Sequence, residues 1–157
     1  MNDRTQTVIR DARLADADIL VHLLEIMHFD ANKREANRAE VDLLRAILAQ
    51  PLRRILVAEY EGAVVGTVDV LVVKNLSRGC SPWATVENLV VHPEFRRHGI
   101  GRALMGEAED FARQHACYKI QLVSNEARGP AHALYENLGY RAKVEGFRKY
   151  LEEVEHV

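Results

Sequence analysis

Apolar residues recur at helical spacing in four places along the chain. Ile19, Leu20, Leu23, Leu24 and Met27 form the first stripe, behind Asp16 at an N-cap position. Val41, Leu44, Ile47 and Leu48 form the second, which Pro51 ends. Ile100, Leu104, Ala108, Phe111 and Ala112 mark a third helix. "GPAHALYENLGY" reads as a fourth, with Pro130 near its start and Gly139 as its stop. Between them lie runs of strand character. "TVIRDARLAD" opens with a short strand, and "RRILVAEYEGAVVGTVDVLVV" reads as two strands around a turn at Glu61-Gly62. "ATVENLVV" and "CYKIQLVS" are further strands, and "RAKVEGFRKYL" reads as two short ones turning near Glu145-Gly146. The stretch from His28 to Glu40 and "KNLSRGCSPW" are loop-like. The order β-α-α-β-β-β-α-β-α-β-β predicts a mixed α/β domain spanning residues 1–157. One central sheet of about six to seven strands is flanked by about four helices, neither a barrel nor a pure Rossmann fold.

Composition removes function classes. At 157 residues the chain suits one domain with a sizeable core. A formal net charge of −2 gives no global nucleic-acid footprint. No apolar stretch is long enough to span a bilayer, and Met1 to Thr7 is too polar for a signal-peptide core. Cys80 and Cys117 lie far apart, as expected of a reduced cytoplasmic chain. There are 7 histidines but no HExxH or Cys/His ligand spacing, so no metal is expected.

The chemistry concentrates in "VVHPEFRRHGIGRAL", Val90 to Leu104. An apolar strand runs into two glycines at the start of a helix. The first N–H groups of a helix lack intrahelical partners and carry partial positive charge, so such a turn cradles anions. Gly99 and Gly101 admit close approach, and Arg96, Arg97 and Arg102 add positive charge. A Walker loop would need a Lys-Ser or Lys-Thr after the glycines, and a dinucleotide fingerprint a glycine where Leu104 stands. Arg96-Arg97-His98-Gly99-Ile100-Gly101 instead matches the pattern Q/R-x-x-G-x-G/A of an acetyl-CoA pyrophosphate loop.

Here the chain resembles the GCN5-related N-acetyltransferases, the GNAT superfamily. "ENLVVHPEFRRHGIGRALM" is similar to the family's central signature, and "SNEARGPAHALYENLGYR" resembles its second, N-x-x-R-x-x-A-x-x-x-Y-x-x-x-G-[FY]. The resemblance implies acetyl transfer from acetyl-CoA to an amine by direct attack in a ternary complex. Backbone N–H groups from Arg97 to Arg102, Ile100 included, would hold the pyrophosphate. Leu89, Val90 and Val91 would offer backbone groups to the pantetheine arm, which requires the strand ending at Val91 to splay from Tyr118–Ser124. A β-bulge helps open that wedge in the family. Tyr135 falls where the family places its general acid, and Asn125 would bond the arm or cap a loop. His92 and His98 flank the loop and touch either phosphate or solvent.

An alkylamine arrives as ammonium, with a pKa of roughly 10, and must lose a proton before it attacks. Glu87 interrupts an apolar strand and is either that base or an exposed strand carboxylate. Asp69 interrupts another. If Val73 faces Trp83 in a symmetric hairpin, Asp69 falls opposite Glu87, and like charges there raise one pKa. The acceptor is expected to be a small molecule. Glu25, Asp30 and Glu87 suit a polyamine, aminoglycoside or lysine side chain, while Arg34 and Arg38 suit an acidic amine. Two alternatives stand beside this reading: a non-catalytic acyl-CoA sensor, and a protein-lysine or N-terminal acetyltransferase. A homodimer is common in the family.

Overall fold

The computed structural model describes residues 7–28, 32–124, 129–142 and 146–151. It divides into two compact units, Met1–Leu122 and Val123–Val157. The first holds a five-stranded sheet in the order β1 (Val8–Asp11), β2 (Arg53–Tyr60), β3 (Ala63–Val73), β4 (Trp83–Val91), β5 (Ile120–Leu122). The first three pairings are antiparallel and the last is parallel. Helices α1 (Ala17–Met27) and α2 (Arg38–Leu48) join β1 to β2, and α4 (Ile100–Gln114) joins β4 to β5. A single turn, α3 (Ser77–Cys80), precedes β4.

Local chemistry sets these boundaries. Tyr60 pairs with Ala63, so β2 and β3 are joined by the two residues Glu61 and Gly62. Both have positive φ, 52° and 81°, as a tight hairpin with strand-matched twist requires. At α2, Asn37 accepts from the Glu40 N–H (3.0 Å) and Glu40 accepts from the Asn37 N–H (2.8 Å), a reciprocal cap. Successive β3 residues face opposite sides of the sheet. A Cβ on Gly66 would lie 3.2 Å from Leu104 Cδ1 and 3.4 Å from Ile100 Cγ2, so Gly66 lets α4 lie close against the sheet. Ile100, Leu104 and Met105 are fully buried along with Val68 and Val70. On the other face, Ala17 and Leu20 of α1 and Leu44 of α2 pack with Ala12 and Val57.

Asp16 stands at the N-cap position of α1, yet its carboxylate bonds no helix N–H. It accepts from the Arg13 N–H (2.7 Å) and from both Arg10 terminal nitrogens (2.7 and 3.0 Å), while Arg10 also reaches Glu59. Burial pushes the Asp16 carboxyl up, but the Arg10 and Arg13 bonds outweigh it and hold the group below its ordinary value. A carboxyl depressed in the fold stabilises above its unfolded pKa and loses that contribution as pH falls through the folded one. Asp16→Asn should therefore cost about 2 kcal/mol near neutrality, the scale for hydrogen bonds to charged groups, and flatten the acid limb. Thermal melts of both proteins between neutral and acid pH measure this.

Three expectations are corrected. The strand expected over "CYKIQLVS" shrinks to Ile120–Leu122. The preceding residues finish α4 instead: Ala116 turns left-handed (φ 55°), its N–H bonds Arg113 O, and the Cys117 N–H bonds Ala112 O. "KNLSRGCSPW" contains the turn α3, where Arg78, Gly79 and Cys80 all have positive φ, making five helices among the described residues rather than four. The final hairpin is absent among the described residues: 141–142 and 146–151 carry no strand, and the Lys143–Glu145 part of the expected turn lies outside them. Alternation alone supplies no partner, and Phe147 and Leu151 are almost fully exposed. The described sheet thus has five strands rather than six to seven.

In the second unit, α5 (Gly129–Asn137) contains Pro130 in its first turn. It ends at Gly139 (φ 92°), whose N–H bonds Glu136 O, while the Tyr140 N–H bonds Tyr135 O at 3.0 Å. That paired closure is the Schellman ending, and the Tyr135 and Tyr140 rings meet edge to face with centroids 6.1 Å apart.

Candidate active site

Helix α4 starts without the protections that a helix end ordinarily carries. Gly99 is its N-cap, in the left-handed region at φ 77°, and has no side chain to accept from the first turn. The first intrahelical bond runs from the Ala103 N–H to Gly99 O (3.0 Å), so the N–H groups of Ile100, Gly101 and Arg102 precede the ladder. No acidic residue occupies the first turn, and Arg102 places a cation there. For the helix alone this is unfavourable by about 0.3–1 kcal/mol, since the dipole prefers anions at this end. An external anion reverses the sign. Arg97, left-handed at φ 68°, and exposed Arg96 and Arg102 surround the same turn. The donors present thus fit a pyrophosphate.

His98 is partly spent within the turn, its Nδ1 lying 2.9 Å from Arg96 O and 3.2 Å from Phe95 O. Its ring lies beside Tyr60, centroids 5.4 Å apart. His92 Nδ1 accepts from the Glu94 N–H, closing the turn after β4.

The parallel ladder between β4 and β5 runs from Ala84↔Ile120 to Val86↔Leu122 and ends there. On the other edge of β4, Asp69 pairs with Glu87 and Thr67 with Val90, so Val68 alone faces Asn88 and Leu89. That is a bulge, and Asn88 takes it up at φ 56°, a conformation asparagine tolerates better than most residues. Beyond the bulge, the His92 N–H donates to Val65 O at 2.8 Å. Antiparallel alternation then turns the polar groups of Val90 toward β3 and those of Val91 toward the opposite edge. Val91 O accepts there from Arg96 Nε (3.1 Å), tying the loop arginine to the strand end.

Asp69 lies opposite Glu87, and Val73 opposite Trp83, in the expected register. Paired residues of an antiparallel ladder share a face, so both carboxylates point to the α1–α2 side. Asp69 is buried, 4 % exposed, whereas Glu87 is exposed. Asp69 has a cationic partner besides. Arg53 on β2 donates through Nε to both Asp69 oxygens (3.1 and 3.2 Å) and through Nη2 to Oδ2. Its own pKa is raised by those bonds. The guanidinium offsets the Asp69 charge and occupies its lone pairs. Sequence reasoning missed Arg53. Its only signal was the Arg53-Arg54 pair opening an apolar strand.

Among the acceptor candidates, Glu25 and Arg34 pair with each other at 2.8 Å, and Arg34 also holds Glu40 at 2.7 Å. The Arg34 bond, with the Asn37 N–H, pulls the Glu40 carboxyl down to about 2. Arg38 lies 3.7 Å from Asp42. The charges of this segment thus answer one another. Tyr135 is buried in the second unit. Asn125 and Asp30 lie outside the described residues. No group of side chains suited to a metal ion occurs among the described residues, and none of their helices is long and apolar enough to cross a membrane.

The described site is thus a bulged strand, β4, followed by a helix N-terminus that has no side-chain cap and is surrounded by arginines. The chain belongs to the acetyltransferase (GNAT) family, whose model matches residues 20–140. Over 81 residues it is 35% identical to a glucosamine 6-phosphate N-acetyltransferase of Trypanosoma brucei brucei, covering 52% of this chain and 53% of that one. The chain spans about half the length of the curated relatives it matches. Among solved structures it is similar to an Agrobacterium tumefaciens protein assigned to the acetyltransferases, with 31% identity, a TM-score of 0.83, and coverage of 91% of this chain and 99% of that one. A transcriptional regulator from Bacillus halodurans is also similar, at 27% identity and a TM-score of 0.84 over 93% of this chain and 100% of that one.

Proposed function

We propose that residues 1–157 form one N-acetyltransferase domain that moves an acetyl group from acetyl-CoA to the primary amine of a small molecule, both substrates being bound before transfer. The observation that carries this reading is the bare N-terminus of α4, with Gly99 as cap and Arg102 in its first turn. Acetyl-CoA supplies the acetyl thioester. N–H groups from Arg97 to Arg102 bind its pyrophosphate, and Arg96 and Arg97 add charge. The end of β4, Leu89 to Val91, orients the arm, with Val91 presenting its backbone groups to it while those of Val90 turn to β3. Glu87 takes a proton from the incoming ammonium, and the freed nitrogen bonds the acetyl carbon as the carbon–sulfur bond breaks. Tyr135, the tyrosine of the second signature, returns a proton to the departing sulfur. Asp69, held by Arg53, contributes negative charge beside Glu87.

No covalent acetyl-enzyme is needed. Burial pushes the Cys117 thiol up, away from the reactive thiolate. The similarity to a transcriptional regulator supports one second reading, an acyl-CoA sensor without turnover. Measuring CoA release from acetyl-CoA with a broad panel of amines separates the two. Amine-dependent release with sequential kinetics is expected. Tight acetyl-CoA binding with no release against any amine supports the sensor, and ping-pong kinetics would exclude direct transfer.

A further inference from the structure

A cavity of about 180 Å³ opens between α1, α2 and the sheet. Its walls are chiefly apolar, among them Leu20, Leu24, Ala36, Leu43, Ile47 and Ile55. At the sheet end it is bounded by Thr67, Asp69 and Asn88, the last being the residue of the β4 bulge. The cavity therefore meets β4 just past the point where the β5 ladder stops, and Glu87 shares the face of Asp69 there.

Size and charge together select the occupant. A cavity of about 150 Å³ lined by aliphatic side chains accepts benzene, so this one admits one ring or a short branched chain. Only part of an aminoglycoside of several rings could be enclosed. The lining includes two carboxylates, Asp69 and Glu40, and no Lys, Arg or His. The nearest guanidiniums are engaged, Arg53 by Asp69 and Arg34 by Glu25 and Glu40. A phosphate would thus meet no free cation among the lining residues, whereas an ammonium would meet the exposed Glu87 beside the Asp69 that Arg53 holds. The Thr67 hydroxyl donates to Leu56 O (2.8 Å), so its one proton is already used.

We infer that the acceptor is a primary amine carried on a single apolar ring or short branched alkyl group, the apolar body lying between α1 and α2 and the ammonium at Asn88 and Glu87. This rests on the transferase reading and narrows it, away from phosphorylated amino sugars and multi-ring aminoglycosides.

The test compares 2-phenylethylamine, methylamine, glucosamine 6-phosphate and sisomicin as acceptors, in wild type and in Ala36→Phe and Val21→Phe, two variants that fill the cavity from different walls. Melting curves and acetyl-CoA calorimetry on each variant establish that it is folded. Wild type should prefer 2-phenylethylamine to both sugars. Either folded variant should lower the ratio of kcat/KM for 2-phenylethylamine over methylamine by about 10-fold or more, the scale of burying one apolar side chain. A preference for either sugar, or an unchanged ratio in both folded variants, overturns the assignment while the transferase reading stands. If no amine is acetylated, the transferase reading falls, and calorimetry with 2-phenylethylamine decides the cavity alone. Binding lost in the filled variants upholds it, and no binding to wild type overturns it.

Discussion

Gly99→Val should weaken acetyl-CoA binding by roughly 10- to 100-fold, the equivalent of the 1–3 kcal/mol that a residue pays for a disfavoured backbone region. Gly99 sits at φ 77°, where a β-branched side chain is a genuine outlier. A Cβ there would touch nothing within 4 Å, so the protein itself has room for it. The cost therefore has two sources: strain that reshapes the turn, and a side chain standing where the pyrophosphate approaches the N–H groups of α4. Gly99→Asn separates them, because asparagine tolerates the left-handed region. Binding restored in the Asn variant assigns the loss to strain, and binding lost in both assigns it to exclusion of the ligand. Calorimetry with acetyl-CoA on folded protein reads both. A Gly99→Val protein that melts normally and binds as wild type does would remove this turn from the cofactor site.

The parts legible in the sequence are those whose chemistry is local. Glu61-Gly62 between two alternating runs specifies a two-residue hairpin, and the register of β3 on β4 follows from placing Val73 opposite Trp83. Asp69 could thus be set against Glu87 before any coordinates. The glycine turn at α4 is legible for the same reason, since a strand, a left-handed turn and an uncapped helix are neighbours in the chain. Arg53 was not legible. It meets Asp69 only because β2 and β3 are adjacent and their register brings Ile55 beside Asp69, with Arg53 two residues along the same face. The Asn88 bulge adds one residue to a strand whose apolar pattern continues unbroken, so its position leaves no mark on the periodicity. β5 is short because α4 closes through Ala116 in a left-handed conformation, and alanine carries no signal for that.

These hidden features change the chemistry of the visible ones. Two facing carboxylates alone would repel each other and compete for one proton. With Arg53 holding one of them, the local charge stays moderate. The bulge then sets Asn88 on the rim of the α1–α2 cavity, so a single extra residue joins the place where the arm would lie to the place where an amine would enter. On the inference above, the acceptor would be selected by the shape between the helices rather than by the exposed charges near Arg34. Those charges catch the eye in the sequence but neutralise one another in the fold.

Tyr135→Phe should lower the single-turnover rate of acetyl transfer by about 100-fold or more, the scale for losing a positioned acid–base group. The substitution removes one oxygen and keeps the ring, so the edge-to-face contact with Tyr140 persists. The helix ending is made by backbone, from the Tyr140 N–H to Tyr135 O and from the Gly139 N–H to Glu136 O, and does not depend on the phenol. Stability and acetyl-CoA affinity should therefore change far less than the rate. A merely structural hydroxyl makes the opposite forecast: a lower melting temperature, with a normal rate in the folded fraction. Glu87→Gln supplies the complementary measurement, because loss of the base should depress transfer most where the amine is fully protonated and recover as pH rises toward the amine's own pKa of roughly 10. Tyr135→Phe removes the acid instead and should show no such recovery. Transfer at the wild-type rate in a well-folded Phe variant at saturating acceptor would take Tyr135 out of the mechanism and leave water to protonate the sulfur.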